Sequence, residues 1–218
     1  MSRKKLFWIG ILGVLLFVLP AVVGGIITEG YNPFSHLISE TYATNTLYGP
    51  YFRFLGYVPS GILLLVFSWG CVPHFPKTFL IREGLRGLGI FYGLFTALTG
   101  LFPCEAGCSF EIIGTSISHQ IHHLASLVIY IFVPICILII GVGLRQKRVQ
   151  RTLYKITISS GLLGMVLSIA LLLNVAGPGV GIIQFFLEIT ILSWIVYFAF
   201  YLRANNTLVQ PVGKKTHP

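Results

Sequence analysis

Charged residues are scarce in this chain, and aspartate is absent. Charged side chains make up 10% of the 218 residues, and all six acidic residues are glutamates. A soluble domain carries roughly a quarter charged residues, so the composition excludes an ordinary water-soluble fold. Hydrophobic residues reach 55%, and the mean hydropathy is +0.86. The composition therefore indicates a protein that lies within a membrane.

The formal net charge of +9 has an explanation other than nucleic-acid binding. Lys and Arg fall in alternate loops, as orientation signals do in membrane proteins, and no basic surface typical of nucleic-acid binders is visible. The polar segments 29–50 and 103–118 contain no Lys or Arg. We expect membrane lipid and a lipid or small-molecule ligand as partners, and no nucleic acid.

Six apolar runs are each long enough to cross a bilayer, which takes about 20 helical residues. We predict an all-α polytopic membrane protein with a single domain over residues 1–218. Basic residues precede the first run and follow the last, at Lys4, Lys5, Lys214 and Lys215. Both termini should therefore lie on the cytoplasmic side of the inner or plasma membrane. The predicted spans are about 6–28, 51–71, 85–102, 119–144, 156–176 and 180–202.

Half of the six histidines stand together at the start of the fourth predicted span, as His119, His122 and His123. On a helix, His119 shares a face with both of the others. Imidazoles one turn apart can bind one metal ion, and zinc suits such ligands. His36 or a glutamate would supply a further ligand. The pattern is therefore compatible with a zinc site.

Two other interpretations of these histidines remain open. In the first they perform general acid–base chemistry, with Ser39 or a water as the nucleophile. Glu40 and Glu188 are then the carboxylates available for catalysis or as additional metal ligands. In the second the histidines are structural and cap a helix at the level of the lipid headgroups.

A short interfacial helix is predicted after the first span. Asn32 and Pro33 form a favourable helix start, with Asn as the cap and Pro in the first turn. The helix would cover residues 34–42 and carry His36 and Glu40 on one face.

Glu188 is the only acidic residue deep inside a predicted span. It lies roughly 12 Å below the start of the sixth span, where a carboxylate needs a partner. Arg53 in the second span is the first candidate and a histidine is the second. Gln184 and Asn174 are expected to line the same cavity as ligand-binding groups. The prediction is a polar vestibule of His, Glu and Arg at the outer face.

Cys104 and Cys108 flank a short outer loop. In an oxidising compartment they are predicted to form a disulfide. The alternative is that the two thiols bind a metal together with the histidines.

Short motifs carry a resemblance to a known family. They are Tyr31-Asn32-Pro33 and Ile38-Ser39-Glu40, then Phe102-Pro103 with Glu105, and a histidine, His122 or His123, that opens the fourth span. With these motifs the chain resembles the prokaryotic membrane proteins catalogued as domain of unknown function 998. The resemblance implies a membrane topology and no particular activity.

A looser likeness connects the chain to membrane hydrolases of the alkaline ceramidase and adiponectin-receptor group. Those proteins pair zinc-binding histidines with serine and aspartate near one membrane face, whereas this chain has no aspartate. Three function classes stay open at this point: a metal-dependent hydrolase acting on lipid, a small-ligand or proton-coupled transporter or binder, and a non-catalytic accessory membrane protein.

Overall fold

The computed structural model of the chain describes residues 1–111 and 113–205. Within these residues it contains helices and no strand. The predicted tail charges Lys214 and Lys215 lie outside the described residues.

Six helices are long and apolar enough to cross a membrane, which confirms the predicted all-α fold. Their ends differ by a few residues from the prediction. The helices are α1 (Arg3–Ile27), α2 (Gly49–His74), α3 (Phe79–Leu101), α4 (Ile117–Gln146), α5 (Arg151–Leu173) and α6 (Val180–Ala204).

The largest shift is at the start of α3, which begins at Phe79 rather than near residue 85. Thr78 caps this helix, since its hydroxyl accepts a hydrogen bond from the Ile81 N–H at 3.2 Å. The first two turns carry Arg82 and Glu83, which form an exposed ion pair at 2.5 Å. The predicted span begins after these charged turns, but an amphipathic helix start accommodates them at a membrane surface.

The six helices form a closed ring. Each helix packs against its neighbours in sequence, and α6 returns to pack against α1. Close approach of α2 and α3 depends on Gly61 and Gly93, because a Cβ at either position would collide with backbone of the other helix. Both helices also contain a π-helical stretch, Arg53–Tyr57 in α2 and Gly89–Leu94 in α3. Such wide turns change the direction in which the following side chains project.

The two ends of the ring differ in composition. We call one the histidine end, formed by the connections 28–48, 102–116 and 174–179. The other is the basic end, where α1 begins and α6 finishes. The guanidinium of Arg3 donates to the Asn205 carbonyl, so the two ends of the described chain meet there. Among the described residues, Arg53 is the one Lys or Arg near the histidine end.

The connection after α1 differs from its prediction. A 3₁₀ helix covers Ile38–Tyr42, and residues 34–37 are not part of it. Asn32 instead closes a turn, in which its side-chain oxygen accepts a hydrogen bond from the Phe34 N–H at 3.0 Å. The predicted helix over 34–42 was therefore too long at its start, because an Asn side chain that bonds its own loop favours a turn over a helix.

Candidate functional site

The short helix Ile38–Tyr42 enters the ring from the histidine end. Ile38, Ser39, Thr41 and Tyr42 are all buried. The Ile38 N–H donates a hydrogen bond of 2.7 Å to the side-chain oxygen of Gln184 on α6. The connection after α1 is thus anchored inside the bundle.

Glu188 lies below Gln184 on α6 and is 5% exposed. One carboxylate oxygen accepts a hydrogen bond from the Tyr92 hydroxyl of α3 at 2.7 Å, and the other accepts one from the Tyr130 hydroxyl of α4 at 3.2 Å. The side-chain amide of Gln184 donates to the same Tyr130 hydroxyl at 2.7 Å. A continuous hydrogen-bonded chain therefore runs from the Ile38 backbone to Tyr92 through three helices.

The predicted pairing of Arg53 with Glu188 is wrong. Among the described residues, the two ion pairs are those of Glu83 with Arg82 and Arg86. Arg53 lies one turn into α2, with its guanidinium 5.5 Å from the centre of the Phe54 ring. Glu188 lies about two turns into α6, so the carboxylate is deeper in the bundle and the tyrosine hydroxyls of α3 and α4 reach it instead.

The His122 ring is fixed by the end of α3. Its Nδ1 lies 2.9 Å from the Phe102 carbonyl oxygen and 3.2 Å from that of Thr99. The last carbonyls of a helix lack partners within the helix, and only a protonated Nδ1 can donate to them. The neutral ring then carries its lone pair on Nε2, which has no protein partner among the described residues.

His119 and His123 are held differently. Nδ1 of His119 accepts from the Glu105 N–H at 3.0 Å, so its Nε2 carries the proton and donates to the Ser109 carbonyl at 2.9 Å. The His123 ring lies against His119 and Phe110, with centroids 4.3 and 5.1 Å away. His119 thus has a structural role in the loop that precedes α4.

The described residues contain no group of three His, Cys, Asp or Glu side chains that could hold a metal ion. His36, His119, His122 and His123 therefore do not come together as the expected zinc ligands. For His119 the physical reason is that backbone groups occupy both ring nitrogens. Nδ1 of His36 likewise accepts from the Asn32 N–H at 3.1 Å.

A cavity of about 260 Å³, which we call the side pocket, opens between α4, α5 and α6 at the histidine end. Its lining combines apolar residues, including leucines on the flank of the bundle, with polar residues. The apolar lining includes Leu37, Phe110, Leu124, Leu127, Leu171, Leu172 and Val175. The polar lining is Ser39, Gln120, His122, His123, Ser126, Tyr130 and Gln184.

A smaller cavity of about 30 Å³, the inner cavity, lies deeper in the ring. It shares Ser39, Ser126, Tyr130 and Gln184 with the side pocket, so the two adjoin. The rest of its lining comes from α1, α3, α4, α6 and the short helix, and consists of Phe17, Ile38, Tyr42, Thr96, Thr99, Ile129 and Glu188.

The remaining predicted site residues lie closer to the surface. His36 and Glu40 line a cavity of about 630 Å³ at the rim of the histidine end, together with Glu111. Burial raises the pKa of the Glu40 carboxyl above its ordinary value, although its oxygen accepts the Leu37 N–H at 2.7 Å. Asn174 ends α5 in a turn with Gly177 and lines neither the side pocket nor the inner cavity.

The loop between α3 and α4 is tied down at several points. Cys104 and Cys108 are joined as a disulfide, with their Cα atoms 5.2 Å apart. A carboxylate oxygen of Glu105 accepts the Ser116 N–H at 2.7 Å, and this hydrogen bonding lowers the pKa of Glu105. The Cys104 carbonyl accepts the Thr44 N–H at 3.0 Å. The loop therefore connects the start of α4 to the segment that carries the short helix.

Several polar residues of the site were not anticipated from the sequence, among them Ser126, Tyr130, Tyr92 and Thr96. The first two could have been found, because His122, Ser126 and Tyr130 are spaced four residues apart and so share a helix face. Tyr92 gave no such signal, since it projects from the π-helical stretch of α3.

The model of a family described as Protein of unknown function (DUF998) matches residues 11–201. The chain belongs to this family. The match covers all of α2 to α5 and most of α1 and α6. The DUF998 region therefore contains the side pocket, the inner cavity and every predicted site residue. It also confirms the resemblance seen in the short motifs. No curated protein and no solved structure matches the chain.

Proposed function

We propose that this integral membrane protein binds a neutral, single-chain amphipathic lipid in the side pocket. One observation carries the proposal: leucines and uncharged hydrogen-bonding groups line the same cavity. Ligand sites generally combine such an apolar lining with a few convergent polar groups.

The apolar lining suits a hydrocarbon chain. Leu124 and Leu127 of α4 and Leu172 of α5 line the cavity and are also exposed on the flank of the bundle, at 62%, 41% and 37%. A chain that enters from the bilayer would therefore remain in apolar surroundings along its path. A cavity of about 260 Å³ has room for part of one chain and a small headgroup.

The polar lining suits a headgroup that donates hydrogen bonds and carries no charge. His122 presents an unprotonated Nε2 as an acceptor, and the hydroxyls of Ser39 and Ser126 can both accept and donate. The described residues that line the side pocket include no Lys or Arg, so phosphate or carboxylate headgroups would lack a counter-charge. A glycerol or alcohol headgroup fits these groups best.

The test is binding of radiolabelled monooleoylglycerol to the purified protein. Leu127→Trp should fill the pocket and weaken binding at least about tenfold, because a bulky ring occupies the space of the chain. Leu162→Trp on the exposed face of α5 is the matched control and should bind as the parent does. Equal binding by all three proteins, or tighter binding of oleate or lysophosphatidylglycerol, would contradict the proposal.

Lipid hydrolysis is the second candidate, because Ser39 and His122 line the same pocket. The Ser39 hydroxyl would attack the ester carbonyl and pass its proton to Nε2 of His122, which would return it to the leaving alcohol. Water would then release the acyl group. Ser39→Ala should lose all release of oleate and weaken monooleoylglycerol binding by no more than about tenfold, the loss of one hydrogen bond. Absence of release by the parent protein removes this candidate and leaves the binding proposal intact.

The basic end is assigned to the cytoplasm. The positive-inside rule supports this assignment. The connections at the basic end contain Lys and Arg, whereas the connections of the histidine end contain neither. Single cysteines at Thr46 and Lys147, placed in a background without native cysteines, test this in intact cells. An impermeant maleimide should label position 46 and not 147, and the reverse pattern would contradict the assignment.

A further inference from the structure

The inner cavity contains a carboxyl group without a counter-charge. Glu188 is 5% exposed, and its protein partners are two tyrosine hydroxyls. Within the described part of the chain, the residues that line this cavity include no Lys, Arg or His. A charged group inside a membrane protein is unfavourable without a partner. The carboxyl therefore needs either a proton or a cation.

Thr96 provides a second, independent observation. This residue lines the inner cavity and is 2% exposed. Its hydroxyl has no hydrogen-bond partner within the described part of the chain. A buried polar group without a partner is unfavourable and calls for an occupant that the protein does not supply.

The candidate occupants differ in what they satisfy. A proton would neutralise Glu188, but it would leave the space empty and the Thr96 hydroxyl unpaired. Water would fill about 30 Å³ and pair with Thr96, but it would not balance the carboxylate charge. A small cation alone does both, whereas otherwise a proton and a water would be needed together.

We propose that the inner cavity is a binding site for Na⁺. Hard cations prefer oxygen ligands, and the cavity offers the Glu188 carboxylate with the hydroxyls of Thr96, Ser126 and Ser39. One carboxylate matches the charge of a monovalent ion. The site shares Ser39 and Ser126 with the side pocket but does not depend on the ligand proposed there.

Thermal unfolding of the purified protein without added lipid ligand tests the site. The NaCl concentration is raised while the choline chloride concentration is lowered, so that the ionic strength stays constant. The unfolding midpoint should rise saturably with Na⁺, because an ion that binds only the folded state stabilises it. Thr96→Val should raise the half-saturating Na⁺ concentration about tenfold through the loss of one ligand.

Ser168→Ala is the matched control. Ser168 is also a buried residue whose hydroxyl has no partner among the described residues, but it lies on α5 outside the inner cavity. This variant should respond to Na⁺ as the parent protein does. Glu188→Gln, which keeps the shape and removes the charge, should lose the response.

Binding of ²²Na⁺ to the parent protein and to Thr96→Val gives a readout that remains valid if Glu188→Gln does not fold. Identical midpoints of the parent protein in NaCl and choline chloride would overturn the Na⁺ site, as would an unchanged half-saturating concentration in Thr96→Val. Either result would leave the binding of monooleoylglycerol, measured without Na⁺, unaffected.

Discussion

The two ends of the bundle use polar residues in opposite ways. At the basic end, charged side chains such as Lys5, Arg86 and Lys147 are exposed. At the histidine end, Ile38, Gln184, Tyr130 and Glu188 are linked by buried hydrogen bonds. Exposed charged side chains can orient a membrane protein without being held in one defined position. A buried polar network requires one arrangement, and at this end it surrounds two cavities.

The comparison predicts the largest loss of stability at the histidine end. Gln184→Leu removes the partner of the buried Ile38 N–H and of the Tyr130 hydroxyl. We expect the free energy of unfolding to fall by about 2–4 kcal/mol, because each unsatisfied buried group costs about 1–3 kcal/mol. Denaturation in mixed micelles measures it. A change below about 1 kcal/mol would mean that the network does not hold the short helix in place.

Removal of the disulfide at the histidine end should cause the next largest loss of stability. Replacing Cys104 and Cys108 together by serine should lower the free energy of unfolding by about 2 kcal/mol, because the closed loop is short. Non-reducing peptide mass spectrometry establishes the bond first, and reduction of the parent protein should reproduce the loss. Two free thiols in air-oxidised protein would refute the pairing.

Replacement of Glu40 should change stability by a smaller amount, which depends on pH. Its pKa is raised in the fold by burial, so the folded state holds the proton more tightly than the unfolded state. Stability should therefore fall as pH rises through the unfolded and then the folded pKa. Glu40→Gln should be more stable than the parent at neutral pH and equal to it below the unfolded pKa.

The control for Glu40→Gln is Glu29→Gln, a change of an exposed glutamate in the same connection. In this variant, the difference in unfolding free energy between neutral and acidic pH should be the same as in the parent. The same pH profile in both variants would show that the burial of Glu40 has no consequence for stability.

The smallest effect is expected at the basic end. Glu83→Ala breaks the exposed ion pairs with Arg82 and Arg86. Exposed pairs contribute little, so the free energy of unfolding should change by less than about 0.5 kcal/mol. A loss as large as that of Gln184→Leu would remove the distinction between the two ends.

Hydropathy and loop charge were sufficient to predict the six helices, since long apolar runs and alternating basic loops are local properties of the sequence. The spacing of four residues placed Gln184 and Glu188 on one face of α6. The sequence also identified the start of α4 as a polar region of the protein.

The pairing of polar groups was not predictable in the same way. Arg53 and Glu188 lie within about two turns of the same end of the bundle, but depth along a helix does not determine which neighbour a side chain reaches. The ring places α3 and α4 where Tyr92 and Tyr130 meet Glu188, and a π-helical stretch directs Tyr92. These are tertiary properties that no spacing in the sequence records.

Photo-crosslinking tests most directly whether the histidine end forms a ligand site. A monoacylglycerol with a diazirine in its acyl chain is equilibrated with the protein in vesicles and irradiated, and the modified peptides are identified by mass spectrometry. The adducts should concentrate on residues 120–130 and 171–175, and excess monooleoylglycerol should remove them. Adducts spread evenly over the exposed faces of α1, α2 and α5, and insensitive to the competitor, would contradict the side pocket as a binding site.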